Sequence, residues 1–264
     1  MEMMEISEKK EKKRMLLTLR FEGGGFCGWQ AQSHGNSIQQ TVQDAAQSVF
    51  GERPGVSGCG RTDAGVHAYG YCCHLDIKKD FPTERLANAL NRYFISKRIS
   101  ISVIEAREVP PEFHSRYCIK SKEYMYKIQN NAYRDPFYVG RAHYYHKPLD
   151  LGLMREAAGH ILGEHNFSSF MGDKSDIPPA EATRTVHKIE IKEKIEDGAH
   201  IVEIYIAASG FLYKMARIIA GTLLEVSEKR IAPGDLPKII AAQSRHRAGR
   251  TLPPCGLYLN KIIY

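Results

Sequence analysis

Apolar residues in the first hundred positions switch between two periods. Met15 to Phe21 has the pattern of a strand and runs into the loop Gly23-Gly24-Gly25. Ile38, Val42, Ala45, Ala46 and Val49 then recur at the spacing of one helical face, until Gly51 and Pro54 break it. Val56 to Asp76 predicts two strand-like pieces around the loop Gly58-Cys-Gly-Arg-Thr-Asp-Ala-Gly65. Thr83 to Phe94 predicts a helix, with Thr83 as its N-cap and Leu86, Leu90 and Tyr93 on its buried stripe. Ile99 to Val103 closes this part as a short β-type run.

The second half repeats the order of elements without repeating the residues. Tyr124, Tyr126 and Ile128 alternate as in a strand, and Leu153 to Leu162 is helical. Thr185 to Ile195 and Ile201 to Ala208 alternate on either side of the turn Glu196-Asp-Gly198. Ser209 then offers a cap for a helix carrying Phe211, Met215, Ile218, Ile219, Leu223 and Val226, and Leu257 to Ile263 ends the chain as a strand. Two β-α-β-β-α-β runs predict an α+β fold of two ferredoxin-like halves with joined antiparallel sheets. Val109-Pro110-Pro111 is the natural boundary. The expected division is a solvated tail over 1–14, a first half over 15–108 and a second over 109–264. The tail carries Lys9, Lys10, Lys12, Lys13 and Arg14, and is either a solubilising segment or an arm that touches RNA.

Composition narrows the class. With 264 residues, 43% of them hydrophobic, the chain can bury a real core and is not a disordered polymer. No apolar run approaches the roughly 20 residues that a membrane-spanning helix needs. The first residues mix charges of both signs and lack the apolar stretch of a secretory signal. Six cysteines without a C-x-x-C pair point to reduced thiols and a cytoplasmic protein. A net charge of +7 permits a polyanionic partner without requiring one.

The densest unusual stretch is Gly58 to Ala68. A dinucleotide loop would need Gly where Asp63 stands, and the run Gly60 to Gly65 is followed by Val66-His67 rather than Lys-Ser/Thr, so neither phosphate-loop pattern holds. What remains is Arg61 two residues before Asp63 on a glycine-rich loop. These residues either tie down the turn or hold a carboxylate for covalent or acid–base work, with Arg61 meeting a phosphate or a base. His67, Cys72, Cys73 and His74 invite a zinc reading, but neighbours on a strand point to opposite faces. Buried cysteines in a sheet explain them better. On the late helix, Arg217 falls about 180° from the centre of the apolar stripe, either in solvent or on the wall of a cleft where it meets an anion. Tyr124 and Tyr126 share a strand face beside Lys122, which suits base stacking as well as a core. Trp29, in the glycine-loop segment Gly28-Trp29-Gln30-Ala31-Gln32, either packs in the core or makes a loop contact to substrate.

Together these segments resemble the TruA family of tRNA pseudouridine synthases. Gly60-Arg-Thr-Asp-Ala-Gly-Val-His-Ala68 is similar to that family's catalytic motif. Phe26-Cys-Gly-Trp-Gln-Ala-Gln32, Phe113-His-Ser-Arg116 with Lys122-Glu-Tyr-Met-Tyr126, Gly210 to Arg217, and Leu252 to Leu257 extend the similarity along the chain. Asn166 stands where the family usually has Asp. The resemblance implies that Asp63 is the catalytic aspartate, and that Arg61 helps to extrude the target uridine. It also implies that Tyr124 stacks on the flipped base, that Arg217 pairs with Asp63 and that Leu257 lines the pocket. It further implies tRNA anticodon stem-loops as substrate (positions 38–40), a basic cleft, a homodimer, and no metal or organic cofactor. The rival from another class is a non-catalytic RNA-binding module of the same architecture, which has no need of Asp63.

Overall fold

Three buried leucines and a methionine near the start, Met15, Leu16, Leu17 and Leu19, commit the first strand to the middle of a sheet. This strand, β1, runs Lys12–Phe21 in a computed structural model that describes residues 12–33, 35–78 and 80–264. It begins earlier than the hydrophobic pattern predicts. Lys12, Lys13 and Arg14 belong to β1 and not to a solvated tail, and Arg14 pairs with Asp76 at 2.8 Å. Residues 1–11 of the expected tail lie outside the described residues.

Helix α1 (Ile38–Phe50) starts where Ser37 accepts a hydrogen bond from the Gln40 amide, and stops at Gly51, whose φ of 75° supplies the left-handed cap. Strands β2 (Val56–Gly58) and β3 (His67–Lys78) flank the glycine-rich loop as predicted. Helix α2 (Thr83–Ser96) has Pro82, not Thr83, at its N-cap. The Thr83 hydroxyl instead accepts from Lys13 Nζ at 3.0 Å. Strand β4 spans Ile101–Val109, later than the expected run. The second half contains β5 (Ser121–Gln129), β6 (His143–Tyr144), α3 (Leu151–Gly159), β7 (Gly163–Asn166), β8 (Thr183–Glu196) and β9 (Ala199–Ala208). Helices α4 (Met215–Ser227) and α5 (Leu236–Ala241) and strand β10 (Leu257–Ile263) complete it. At the end of β7, Asn166 Oδ1 accepts from the Ser168 amide while its Nδ2 donates to the Pro179 carbonyl; an Asp there supplies only the first bond.

Helix α4 begins later than the sequence pattern suggests. Ser209 caps nothing, because its hydroxyl accepts the Thr185 amide near the start of β8. Residues 210–214 are irregular, and Lys214 at φ 60° turns the chain into the helix. The helix is buried on almost every side, so Arg217 is not solvated.

All ten strands form one sheet in the order β4-β1-β3-β10-β5-β9-β8-β7, with β2 beside β3 and β6 beside β5. This is an α+β structure with a single continuous sheet. The central join is the short parallel pairing of β3 with β10, Tyr258 opposite His67 and Leu259 opposite Ala68. Two cores flank this join, one under α1 and α2, the other under α3 and α4. Leu257 and Leu259 share a face of β10 yet belong to different cores, so both cores lie on the same side of the sheet. Tyr124 packs against both. Among the described residues no helix is long and apolar enough to cross a membrane.

Candidate active site

The loop between β2 and β3 is held by its backbone. The Cys59 amide donates to Cys72 O at 2.8 Å, Tyr71 Oη donates to Gly60 O at 2.6 Å, and the Trp29 amide donates to Thr62 O at 3.3 Å. The Val66 amide closes a turn onto Asp63 O at 3.2 Å, and Gly65 takes a φ of 78° inside it. Trp29 is a core residue. Its ring stacks on Tyr71 with centroids 4.3 Å apart, and its own amide is one of the loop's anchors. Gly28 lets this second loop approach, since a Cβ there would collide with the Thr62 carbonyl. Asp63 therefore projects from a rigid turn at the end of the sheet.

Opposite it stands α4. Arg217 Nη1 donates to Asp63 Oδ2 at 2.6 Å, and Arg217 Nε donates to Leu252 O at 2.8 Å. The arginine is only 9% exposed. Asp63 keeps 27% of its side chain open, and its Oδ1 has no hydrogen-bond partner among the described residues. One oxygen is thus fixed while the other remains available to a ligand. Gly221, one turn after Arg217, lets α4 cross the Arg250 carbonyl at close range, which brings Leu252 within reach of the guanidinium.

Asp63 opens into a cleft of about 710 Å³. Arg61, Tyr124 and Leu257 line it as well, so all five residues singled out in the sequence meet at one place. Arg61 is exposed on the rim side of its loop. Tyr124 meets Phe211 edge to face at 4.8 Å, and burial, with Cys59 and Asp63 nearby, pushes its hydroxyl pKa up, so the phenol stays protonated. Tyr126, the next residue on that face, points deeper and donates to Pro253 O at 2.8 Å.

The structure adds residues that sequence reasoning left unassigned. Arg116, Lys122, Lys174 and Lys214 join Arg61 on the walls, against the carboxylates of Asp63 and Asp176. Arg116 and Lys122 lie inside segments already quoted for their resemblance. Lys174 and Asp176 lie in a loop with no motif, and only folding brings them to the cleft. Cys72 and Cys73 are both buried in β3, consistent with their reading as sheet cysteines.

A cleft with five cations around a paired carboxylate and a half-buried tyrosine suits a polyanion from which one planar group enters. A family model described as tRNA pseudouridine synthase matches residues 157–264. Curated relatives extend the match. The tRNA pseudouridine synthase A of Wolbachia pipientis subsp. Culex pipiens is 39% identical over 252 residues, covering 95% of this chain and 100% of the relative. That of Caldicellulosiruptor bescii is 37% identical over 252 residues, covering 96% and 100%. That of Bacillus licheniformis is 40% identical over 255 residues, covering 95% and 99%. Aligned at these identities over nearly its whole length, this chain belongs to the TruA family of tRNA pseudouridine synthases.

Proposed function

We propose that this protein isomerises uridine to pseudouridine in tRNA, with Asp63 as the catalytic carboxylate. The observation that carries the reading is the 2.6 Å pair between Asp63 and Arg217 at the floor of a basic cleft. The reaction breaks the N1–C1′ bond, turns the uracil and joins C5 to C1′; N1 gains a proton and C5 loses one. No redox change and no external group enters, so the chain's own side chains suffice and no cofactor is required. A carboxylate serves whether it attacks C1′, adds at C6 or stabilises a transient sugar cation or glycal, and in each case it acts ionised. A guanidinium at 2.6 Å fixes its rotamer.

The base must first leave its stack, at a cost of a few kcal/mol. Exposed Arg61, with no other side-chain partner among the described residues, fits the role of replacing contacts in the vacated stem, and Tyr124 that of stacking on the uracil over the Leu257 floor. The anticodon stem-loop, at positions 38–40, is the proposed substrate region, the homodimer the proposed assembly and the cytoplasm the proposed location. The architecture is proposed as two ferredoxin-like halves, one running from β1 to β4 and the other from β5 to β10. In support, β4-β1-β3 with β2, and β10-β5-β9-β8, each place the first and third strands of a half side by side, with the fourth outside the first.

Tritium release from tRNA transcripts labelled at uridine C5, with EDTA present, tests the reading. Wild type is expected to release tritium and Asp63→Asn to bind tRNA without release. Equal release by Asp63→Asn overturns the mechanism, and binding without release by wild type shifts the protein to the non-catalytic class.

A further inference from the structure

Lys122 differs from the other four cations of the cleft: among the described residues it is the lysine whose ammonium grips the catalytic loop. It sits two residues before Tyr124 on β5 and so shares its face. From there its Nζ crosses to the β2–β3 loop and donates to Cys59 O at 2.7 Å. The other anchors of this part of the loop, Cys72 and Tyr71, come from β3, the strand the loop itself leads into. Lys122 instead comes from the strand that carries Tyr124. It ties the position of Asp63 to that of the tyrosine it works with. No carboxylate among the described residues lies within ion-pair distance of its ammonium. Nor is the neighbouring thiol a counter-ion, because burial pushes Cys59 up to about 12 and keeps it neutral. Burial also draws the Lys122 pKa down. An unpaired, partly buried ammonium spent on a backbone carbonyl is a costly arrangement for a residue with no task.

We propose that Lys122 is a positioning residue for Asp63, setting the spacing between the catalytic loop and Tyr124 through the Cys59 carbonyl, and acting on turnover rather than on RNA affinity. The proposal rests on the reading of the Asp63 cleft as the active site. Gly60 supplies an independent handle. Its φ is not left-handed, and a Cβ there would stand 2.8 Å from Lys122 Nζ, displacing the ammonium without deleting it.

The test is single-turnover tritium release and tRNA binding by the full chain, for Lys122→Met, Lys122→Arg, Gly60→Ala and the double variant Gly60→Ala/Lys122→Met. Lys122→Met is expected to slow turnover about 100-fold while the tRNA Kd stays within about threefold. Lys122→Arg, which keeps a charged donor, is expected to recover at least about tenfold of that loss. Gly60→Ala is expected to slow the enzyme that has Lys122 and to add nothing in the Lys122→Met background. Turnover by Lys122→Met within about threefold of wild type overturns the proposal, as does a matching loss of affinity or multiplicative effects in the double variant. If Lys122→Met does not fold, Gly60→Ala decides alone: unchanged turnover overturns the proposal, and slowed turnover at unchanged Kd supports it. Asp63→Asn is run alongside. Residual turnover there overturns the active-site reading itself, whereas a dead Asp63→Asn beside a fully active Lys122→Met overturns only the role of Lys122.

Discussion

Asp63 and Arg217 are separated by 154 residues and joined by a 2.6 Å ion pair. The arginine is held at both ends, since the same guanidinium that meets Asp63 through Nη1 donates through Nε to the Leu252 carbonyl. Only a fork of fixed geometry makes both bonds. A lysine reaches one acceptor and loses the orientation that the other provides.

Arg217→Lys is therefore expected to lower kcat about 100-fold, and Arg217→Met further still, because misplacing the reacting carboxylate by about 1 Å costs about that much. Affinity for tRNA is expected to stay within about threefold, since the arginine lies beneath the cleft rather than on its rim. Single-turnover rates and binding measured on the same preparations check both parts; a loss in affinity alone contradicts the assignment.

Gly221 makes a second, structural prediction. It faces the Arg250 carbonyl so closely that any Cβ collides with backbone, and Gly249 meets the Thr222 backbone in the same crossing. Backbone does not yield as a side chain does. Gly221→Ala is expected to destabilise the protein by about 2–3 kcal/mol despite alanine's better helix propensity. It is also expected to slow turnover at 25 °C, where the fold persists, because moving the 249–252 segment moves the Leu252 anchor of Arg217. Calorimetry and rates on the one variant separate the two effects, and an unchanged melting temperature refutes the first.

Much of this arrangement is legible in the sequence where local chemistry decides it. Strand β10 falls on the predicted residues because Leu257 to Ile263 is a short apolar run that follows a Pro- and Gly-containing break, and α1 is bounded by Ser37 and Gly51, whose capping roles are intrinsic. The start of α4 is not legible. Phe211 continues the helical apolar stripe, but it is used against Tyr124 on the cleft wall, and Ser209 is used by the sheet. The positive φ of Lys214 has no signature in a lysine. The helical wheel rightly sets Arg217 apart from the core stripe. What buries it is the segment around Leu252, distant in sequence and placed by tertiary packing. Lys174 reaches the cleft for the same kind of reason.

Those rim cations carry a prediction of their own. Arg116, Lys174 and Lys214 line the cleft mouth, so each is available to neutralise a phosphate. Replacing any one by Ala is expected to weaken tRNA binding several-fold and to reduce the slope of log K against log salt by about 1. The chemical step on bound RNA is expected to change little. A salt titration of wild type and the three variants tests this, and an unchanged slope removes that residue from the phosphate contacts.

Acid sensitivity follows from three histidines kept neutral by burial. His67 Nδ1 accepts the Gly23 amide at 3.0 Å, so its proton sits on Nε2, which donates to Cys255 O at 3.1 Å. A second proton would set an N–H against the Gly23 N–H. His74 Nδ1 likewise accepts the Ser115 amide at 3.2 Å. Burial lowers the pKa of His67, and holds His74 and His143 down to about 4. Because the folded pKa values lie below the unfolded value of about 6.5, the unfolded chain takes up protons first as pH falls. Stability is thus expected to be level above about pH 7 and to decline from about pH 6.5 toward 4, by on the order of 1 kcal/mol per pH unit for each such histidine. His74→Asn keeps an acceptor for the Ser115 amide and removes one titrating group. Denaturant unfolding at pH 7, 6 and 5 is expected to show a shallower decline for that variant, by close to one proton's worth of slope; a decline equal to that of wild type excludes His74 as a source of the acid sensitivity.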